Sequence, residues 1–386
     1  MLFSRSLLHT LLLIACSCCC VYTSSAGELP ALKDTISFCL LGELKNRNLI
    51  IRDTIDLYNK KCIIPSGVTL VFKGGLIKNG TLEGNMTRIK STSVCFDRVS
   101  IMGTWNVKSI KTTLFNDLSY DNALKDVLAL TNPNIKNLVV INEGDYKVSA
   151  YKEDDVCIPV CSNTELVING SIRLSPNGFR YYSIIQASGN NIKIKGNGTI
   201  FGDRHSHTGN TGEWGMGVYF SNAHHVKLRD LSIRDCWGDC IYVGDKSSYV
   251  LIEECRLDNS RRQGISVTSA EDVIIRNCII TNVGGTPPGY AIDIEPNPND
   301  IVDNIRVNSV KVNNCKGGFL VFGKALNARI GLVEFTKCSI LNAMISVRIE
   351  KCETAKVQKC VINNRRKDTF ICKEVDKALI RNNIFE

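Results

Sequence analysis

From residue 226 onward the chain repeats one phrase: two alternating apolar positions, a sharp break, and two more alternating positions closing on a polar residue. It reads Val226-Lys-Leu-Arg-Asp-Leu231-Ser-Ile233, then Val250-Leu-Ile-Glu-Glu-Cys255-Arg-Leu257, then Val273-Ile-Ile-Arg-Asn-Cys278-Ile-Ile280. Further copies begin at Ile305, Ala328, Ala355 and Ala378, so the starts lie 24, 23, 32, 23, 27 and 23 residues apart. Period-two strands at this interval, with no helix between them, predict a single-stranded right-handed parallel β-helix, an all-β fold in which each coil closes the core of the next. Nine residues after the starts stand Asp235, Asn259, Asn282, Asn314, Lys337 and Asn364. All but Lys337 suit a tight bend whose side chain bonds local backbone or the neighbouring coil.

The N-terminal half is less regular but of the same kind. Val68-Thr-Leu70-Val-Phe72, Leu166-Val-Ile168, Ile172-Arg-Leu174 and Ile192-Lys-Ile194 alternate, and Asn-Gly pairs at 79, 169 and 197 punctuate them. One helix is expected, over Asp121 to Leu130, with Leu124, Val127 and Leu128 on one face and Ser119 or Asp121 as its cap. Such a helix would cover the open end of a stack of coils. The division expected is an N-terminal β module over residues 27–113 and the helix-led β-helix over 114–386. Ahead of both, Leu7 to Ile14 is a short apolar run and Ser24-Ser25-Ala26 a cleavage pattern, so residues 1–26 read as a signal peptide. Leu13-Ile14-Ala15-Cys16 also fits a lipoprotein site, which would leave Cys16 as a lipid anchor and the only link to a membrane. Both alternatives imply export, to the periplasm, the outer-membrane surface or the medium.

Composition narrows the partners. A hydrophobic content of 44% excludes a disordered chain, and a net charge of +9 over 386 residues permits an anionic polysaccharide as partner. No block of Lys and Arg interleaved with aromatics points to nucleic acid.

Between the phrases lies another strand, in the copies Gly217-Val-Tyr-Phe220, Cys240-Ile-Tyr-Val243, Gly264-Ile-Ser-Val267, Ala291-Ile-Asp-Ile294, Gly318-Phe-Leu-Val321 and Met344-Ile-Ser-Val347. With the aliphatic members inward, alternation turns Tyr219, Tyr242, Ser266 and Asp293 outward in one column. Gly244, Thr268, Glu295, Phe322 and Arg348 fall in the next. Asp293 and Glu295 would then share a face roughly 6.5–7 Å apart along the strand, with Asp239, Arg261, Arg262 and Gln263 just ahead of neighbouring strands. Carboxylates supply acid and base, arginines grip carboxylates or sulfates of an acidic chain, and Tyr219, Tyr242, Trp214 and Trp237 offer faces for sugar rings. The spacing falls within the range of about 6.5–9.5 Å that leaves room for an attacking water, the inverting geometry. His205 and His207 read as loop residues rather than metal ligands.

Gly212-Glu-Trp-Gly-Met-Gly217, Cys236-Trp-Gly-Asp-Cys-Ile-Tyr-Val243, Arg261-Arg-Gln-Gly-Ile-Ser266 and Ala291-Ile-Asp-Ile-Glu-Pro-Asn297, in this order and spacing, resemble secreted bacterial β-helix proteins of the pectin-lyase-like superfamily, relatives of phage tailspike depolymerases. Val71-Phe-Lys-Gly-Gly-Leu-Ile-Lys-Asn-Gly80 is similar to the N-terminal module of Bacteroides-type members. The resemblance implies a polysaccharide as substrate. Gly238-Asp239-Cys240 departs from the family's Gly-Asp-Gly, putting a side chain where backbone would approach a ligand, and the polygalacturonase residue set is missing apart from an echo in Arg348-Ile-Glu350.

Three functions follow from these residues. The first is a glycoside hydrolase with Asp293 and Glu295 as acid and base, Asp239 in support, and no cofactor. The second is a polysaccharide lyase in which Asp239, Asp293 and Glu295 hold Ca²⁺ and Arg348 or Arg262 removes the proton. The third is a glycan-binding surface protein without catalysis. The cysteines carry no such role. Cys255, Cys278 and Cys360 share a core position with Leu231, Val310 and Val333, which makes them aliphatic substitutes. Coils about 4.8 Å apart also suit a disulfide poorly, since it prefers about 3.8 Å between β-carbons.

Overall fold

A computed structural model describes residues 47–362 and 370–385. The expected leader, with Cys16, and the turn residue Asn364 lie outside the described residues. The chain divides into two compact units, the first comprising the described residues to Val107 together with 113–117 and 129–131. Its strands pair in parallel around Ile77–Lys90, which meets Thr69–Phe72 on one side and Phe96–Trp105 on another. Leu49, Leu70, Ile77, Leu82, Phe96 and Trp105 fill the interior. Gly84 is required there, because a Cβ on it would sit 2.5 Å from the Trp105 ring.

The second unit is a right-handed parallel β-helix, the hand that connections between parallel strands almost always take. Every strand pair among the described residues is parallel, and the coils build an 18-stranded and a 10-stranded sheet. The larger sheet contains two runs joined where Trp214–Arg229 and Ile345–Gln358 turn a corner without breaking. Along one run, Ile241, Ile265, Ile292 and Phe319 stack inward in register. Along the other, Val226, Val250, Val273 and Ile305 do the same. The smaller sheet repeats the pattern with Ile233, Leu257, Ile280 and Val312.

Register corrects the fifth copy of the phrase. Ile305 pairs with Val333, and Val333 with Ala355, so the copy begins at Val333 and not at Ala328. Arg329–Ile330 alternates because it forms its own short pairing with Ile301–Val302. The turn column therefore holds Asn342 where Lys337 was expected, and Asp235, Asn259, Asn282, Asn314 and Asn342 all have φ between 54° and 58°. Asn and Asp accept this left-handed backbone at little cost. Their amides link coils: Asn314 donates to Asn282 at 2.7 Å, and Asn259 to Asp235.

The same correction moves Cys338 into the core column in place of Val333. Cys255, Cys278, Cys338 and Cys360 each donate the thiol hydrogen to the carbonyl two residues earlier, at 3.3–3.4 Å, which an aliphatic side chain cannot do. Burial pushes Cys315 up to about 11 and Cys157 up to about 12, so these thiols are unreactive. Alkylation in denaturant without reductant is expected to modify all 13 described cysteines. A bridge within the Cys255–Cys278 or Cys338–Cys360 pair, found by mass spectrometry, would contradict the packing.

The helix is shorter than expected, Ala123–Ala129. Neither Ser119 nor Asp121 stands directly before it. Asn122 does, with φ 62°, and its side chain bonds both backbone groups of Ser149 on the first coil at 2.9 and 3.1 Å. Ala123, Leu124, Val127 and Leu128 are its buried face.

Candidate active site

The outward column is real, and most of it is buried. Tyr219 pairs with Tyr242, Tyr242 with Ser266, Ser266 with Asp293, and Asp293 with Leu320. Arg348 belongs to this column, beside Leu320, while Glu350 stands beside Phe322 in the next. The last strand was thus placed two residues out, a slip that keeps every side chain on its face because the side-chain period is two. Ser266 and Asp293 are 0% and 2% exposed, so loops and long side chains close over the strand face that alternation alone would leave in water.

Asp239 anchors that closure. It is fully buried and accepts from Arg262 Nη1 at 2.9 Å, Ser266 Oγ at 2.8 Å and the Gln263 backbone N–H at 3.1 Å. Burial raises its carboxyl above the ordinary value, and Arg262, Ser266 and Gln263 oppose the rise. With its oxygens spent in this way it positions Arg262 and Gln263 and cannot meet a substrate. Gln263, also fully buried, donates to Asp293 Oδ2 at 2.6 Å and accepts from the Tyr290 backbone N–H at 2.6 Å. It holds Asp293, and the substrate contact expected of it is precluded by burial.

Asp293 and Glu295 lie on successive outward positions of Tyr290–Ile294 and its continuation. Asp293 has one oxygen on Gln263, while Oδ1 is buried without a hydrogen-bond partner. Burial, reinforced by the Glu295 charge, pushes its carboxyl well above the usual carboxylate range, against Arg262 and Gln263. Glu295 is half-buried. Burial raises its carboxyl too, opposed by Arg262 and Arg348. Burial would lower the Arg262 guanidinium, but Asp239, Asp293 and Glu213 outweigh it. Arg262 and Arg348 face several carboxyl groups, and burial disfavours the charged form of Asp293, the most buried unpaired acid, most strongly.

The arginines are not free to grip an anion. Arg262 is committed to Asp239 and approaches Glu213 at 3.6 Å. Arg261 donates to the carbonyls of Gly212 at 2.8 Å and Asn210 at 3.1 Å, tying the 203–214 loop to the coils. Its guanidinium lies 3.8 Å from the Trp237 ring centre, and the His207 ring stacks on the same indole at 4.0 Å. Trp237, 7% exposed, therefore supports the loop and has no face for a sugar. Arg348 is held by Glu350 at 2.8 Å. Tyr219 is mostly buried, donates to Asp245 and packs edge-on against Tyr242, ring centres 5.1 Å apart. Tyr242 and Trp214 keep half-open faces, the latter beside Tyr181 at 5.9 Å.

Cys240 does not obstruct the site. It is fully buried and its thiol points to the Ile233 carbonyl at 3.4 Å, inside the coil. The constrained position of that motif is Gly238, where a Cβ would lie 2.5 Å from the Glu213 carbonyl. Glu213 is the residue missed in the sequence, although it stands inside the motif beside Trp214. Also missed was the support of its loop. Asp203, buried, accepts from Tyr182 at 2.5 Å and Asn177 at 3.0 Å and pairs with His207 at 2.8 Å. His207 is a loop residue whose ring is held by Asp203.

A calcium ion needs six to eight oxygen ligands. The set proposed for it does not fit, since the Asp239 oxygens are taken by Arg262, Ser266 and Gln263. No cluster of three or more His, Cys, Asp or Glu suited to a metal occurs among the described residues.

The family model described as "Right handed beta helix region" matches residues 177–332, the coils carrying Asp239, Asp293 and Glu295. Fold and match agree on a right-handed parallel β-helix. Among curated proteins of Bacillus subtilis (strain 168), the chain is similar to "SPbeta prophage-derived uncharacterized protein YorA", 28% identical over 162 residues, covering 36% of this chain and 28% of that protein. It is also similar to "Uncharacterized protein YclG", 31% identical over 160 residues, covering 36% and 27%. The chain thus spans little more than a quarter of these relatives. Among solved structures, a tailspike protein gp49 from Acinetobacter baumannii bacteriophage Fri1, titled a capsular polysaccharide depolymerase, aligns with TM-score 0.46 and 13% identity over 72% of this chain and 62% of that one. The Dettilon tailspike protein gp208 aligns with TM-score 0.37 and 12% identity over 88% and 59%.

Proposed function

We propose that this β-helix is an exported glycoside hydrolase acting on a polysaccharide, with Asp293 as the proton donor and Glu295 as the carboxylate that activates water. The observation that carries the reading is Asp293 Oδ1, a buried carboxyl oxygen without a partner, in a group whose charged form burial and Glu295 disfavour. Glu295, half-open, is the member of the pair nearer the solvent. The two stand two residues apart on one strand face, about 6.5–7 Å along the backbone, a separation compatible with the inverting arrangement. Substrate entry has to uncover Oδ1, and the half-buried Glu213, loosely held at 3.6 Å by Arg262, is the side chain best able to move. Because Arg261 and Arg262 are committed internally, a neutral glycan fits better than the anionic one that the arginines alone suggested.

The lyase alternative is weakened on two counts. Its calcium set loses Asp239, and neighbouring carboxylates hold both Arg262 and Arg348 above their ordinary values, which disfavours either as a base. Glu295→Gln is expected to lower release of reducing ends by about 10²–10⁴-fold, with the melting temperature little changed. Full activity in a folded Glu295→Gln protein, assayed on a polysaccharide the parent cleaves, would overturn the assignment.

A further inference from the structure

At the corner where each coil enters the second run of strands, one residue adopts a left-handed backbone. On successive coils these are Asn191, His225, Tyr249, Asp272 and Asn304, with φ between 54° and 58°. Asn, Asp and His take this conformation readily, but a tyrosine ring there is unusual and costs free energy. Two successive coils nevertheless carry rings, and Tyr249 is 56% exposed. Nothing in the coil's packing requires them, since Asn and Asp fill the same position on the neighbouring coils.

The two rings form a stack. His225 and Tyr249 lie 4.7 Å apart with planes inclined by only 2°, so the stack runs along the direction in which coils succeed one another. On the next coil the position is held by Asp272, whose short side chain leaves the stack open on that side. There the surface forms a groove of about 320 Å³ lined by Tyr249, Leu251, Asp272, Ile274, Asn304 and Arg306. Asn304 donates to Asp272, and Arg306 Nε donates to Asn304 Oδ1 at 3.1 Å, which lines up a chain of fixed polar groups across the groove. Ile274, 39% exposed, adds an apolar floor.

We infer that this groove is a second carbohydrate-binding site, which takes one sugar ring of a glycan chain as the next member of the His225–Tyr249 stack. The apolar face of a pyranose packs on an aromatic ring, while its edge hydroxyls need planar donors and acceptors, which Asp272, Asn304 and Arg306 supply together. The groove carries one acid and one base of its own, which suits a neutral sugar. It lies on a different run of strands from Asp293 and Glu295 and does not depend on catalysis there.

The probe is an array of neutral and acidic oligosaccharides, read with the parent protein, with the doubly substituted Asp293→Asn, Glu295→Gln protein, and with Tyr249→Asn introduced into each of the two. Asn is the residue this corner uses elsewhere, so Tyr249→Asn is expected to melt no lower than the parent. It is expected to weaken binding of the array ligands at least about tenfold in the doubly substituted background. That double variant alone is expected to keep binding, which separates this site from the acid pair. Binding unchanged by Tyr249→Asn, binding lost in the double variant alone, or no ligand anywhere on the array would each overturn the inference.

Discussion

Asp293→Asn is expected to reduce polysaccharide cleavage by about 10²–10⁴-fold and to raise thermal stability at neutral and alkaline pH. Both effects come from the same burial. The folded carboxyl sits well above its ordinary value because burial and the Glu295 charge disfavour ionisation. A group whose folded pKa is raised contributes stability below its unfolded pKa, and that contribution is lost as pH climbs through the folded pKa. The parent is therefore penalised on the alkaline side, and an amide removes the penalty while still able to bond Gln263. Activity should be bell-shaped in pH. It falls on the acid side as Glu295 takes up a proton, and on the alkaline side as Asp293 gives one up. Melting temperatures of parent and variant, measured across pH, should converge in acid and separate toward alkaline pH. A variant less stable than the parent at alkaline pH would mean that the fold favours the ionised Asp293 carboxylate instead of disfavouring it.

Arg262→Ala is expected to be the most damaging single change near the site, costing about 3–5 kcal/mol. Asp239 is fully buried, and removal of the guanidinium leaves it with Ser266 and the Gln263 N–H but no counter-charge. Asp293 and Glu295 lose the cation that both of them feel. Replacing both members of the pair, Arg262→Met with Asp239→Asn, should recover most of the loss, because an unpaired buried charge costs more than the pair contributes. Urea midpoints of the single and double variants check this, and a mild single variant would place Asp239 in water.

The coils were legible because each must bury the same side-chain positions, so the apolar alternation is imposed anew every 22 to 32 residues. The fifth copy misled because Arg329–Ile330 is itself a strand fragment, paired with Ile301–Val302 ahead of the true start at Val333. The Tyr219–Tyr242–Ser266–Asp293 column was readable for the same period-two reason. What covers it was not. The clamp of Arg261 on Asn210 and Gly212, and the packing of His207 on Trp237, join residues tens of positions apart with no shared period. Of the arginines that looked like an anion grip, Arg261 turned out to be committed to the loop, as did Trp237, and Arg262 to Asp239. The stacked rings of His225 and Tyr249 were hidden differently, since a left-handed corner favours Asn and gives no cue for an aromatic.

The central claim, hydrolysis by a protonated Asp293 paired with Glu295, is tested most directly by incubating the protein with a panel of neutral and acidic polysaccharides. Reducing ends and ultraviolet absorbance are read together, with Asp293→Asn alongside. The account predicts new reducing ends from at least one neutral polysaccharide, no accompanying rise in absorbance, and loss of the signal in the variant. Reducing ends that appear with a matching rise in absorbance, or that Asp293→Asn releases as fast as the parent, would contradict it.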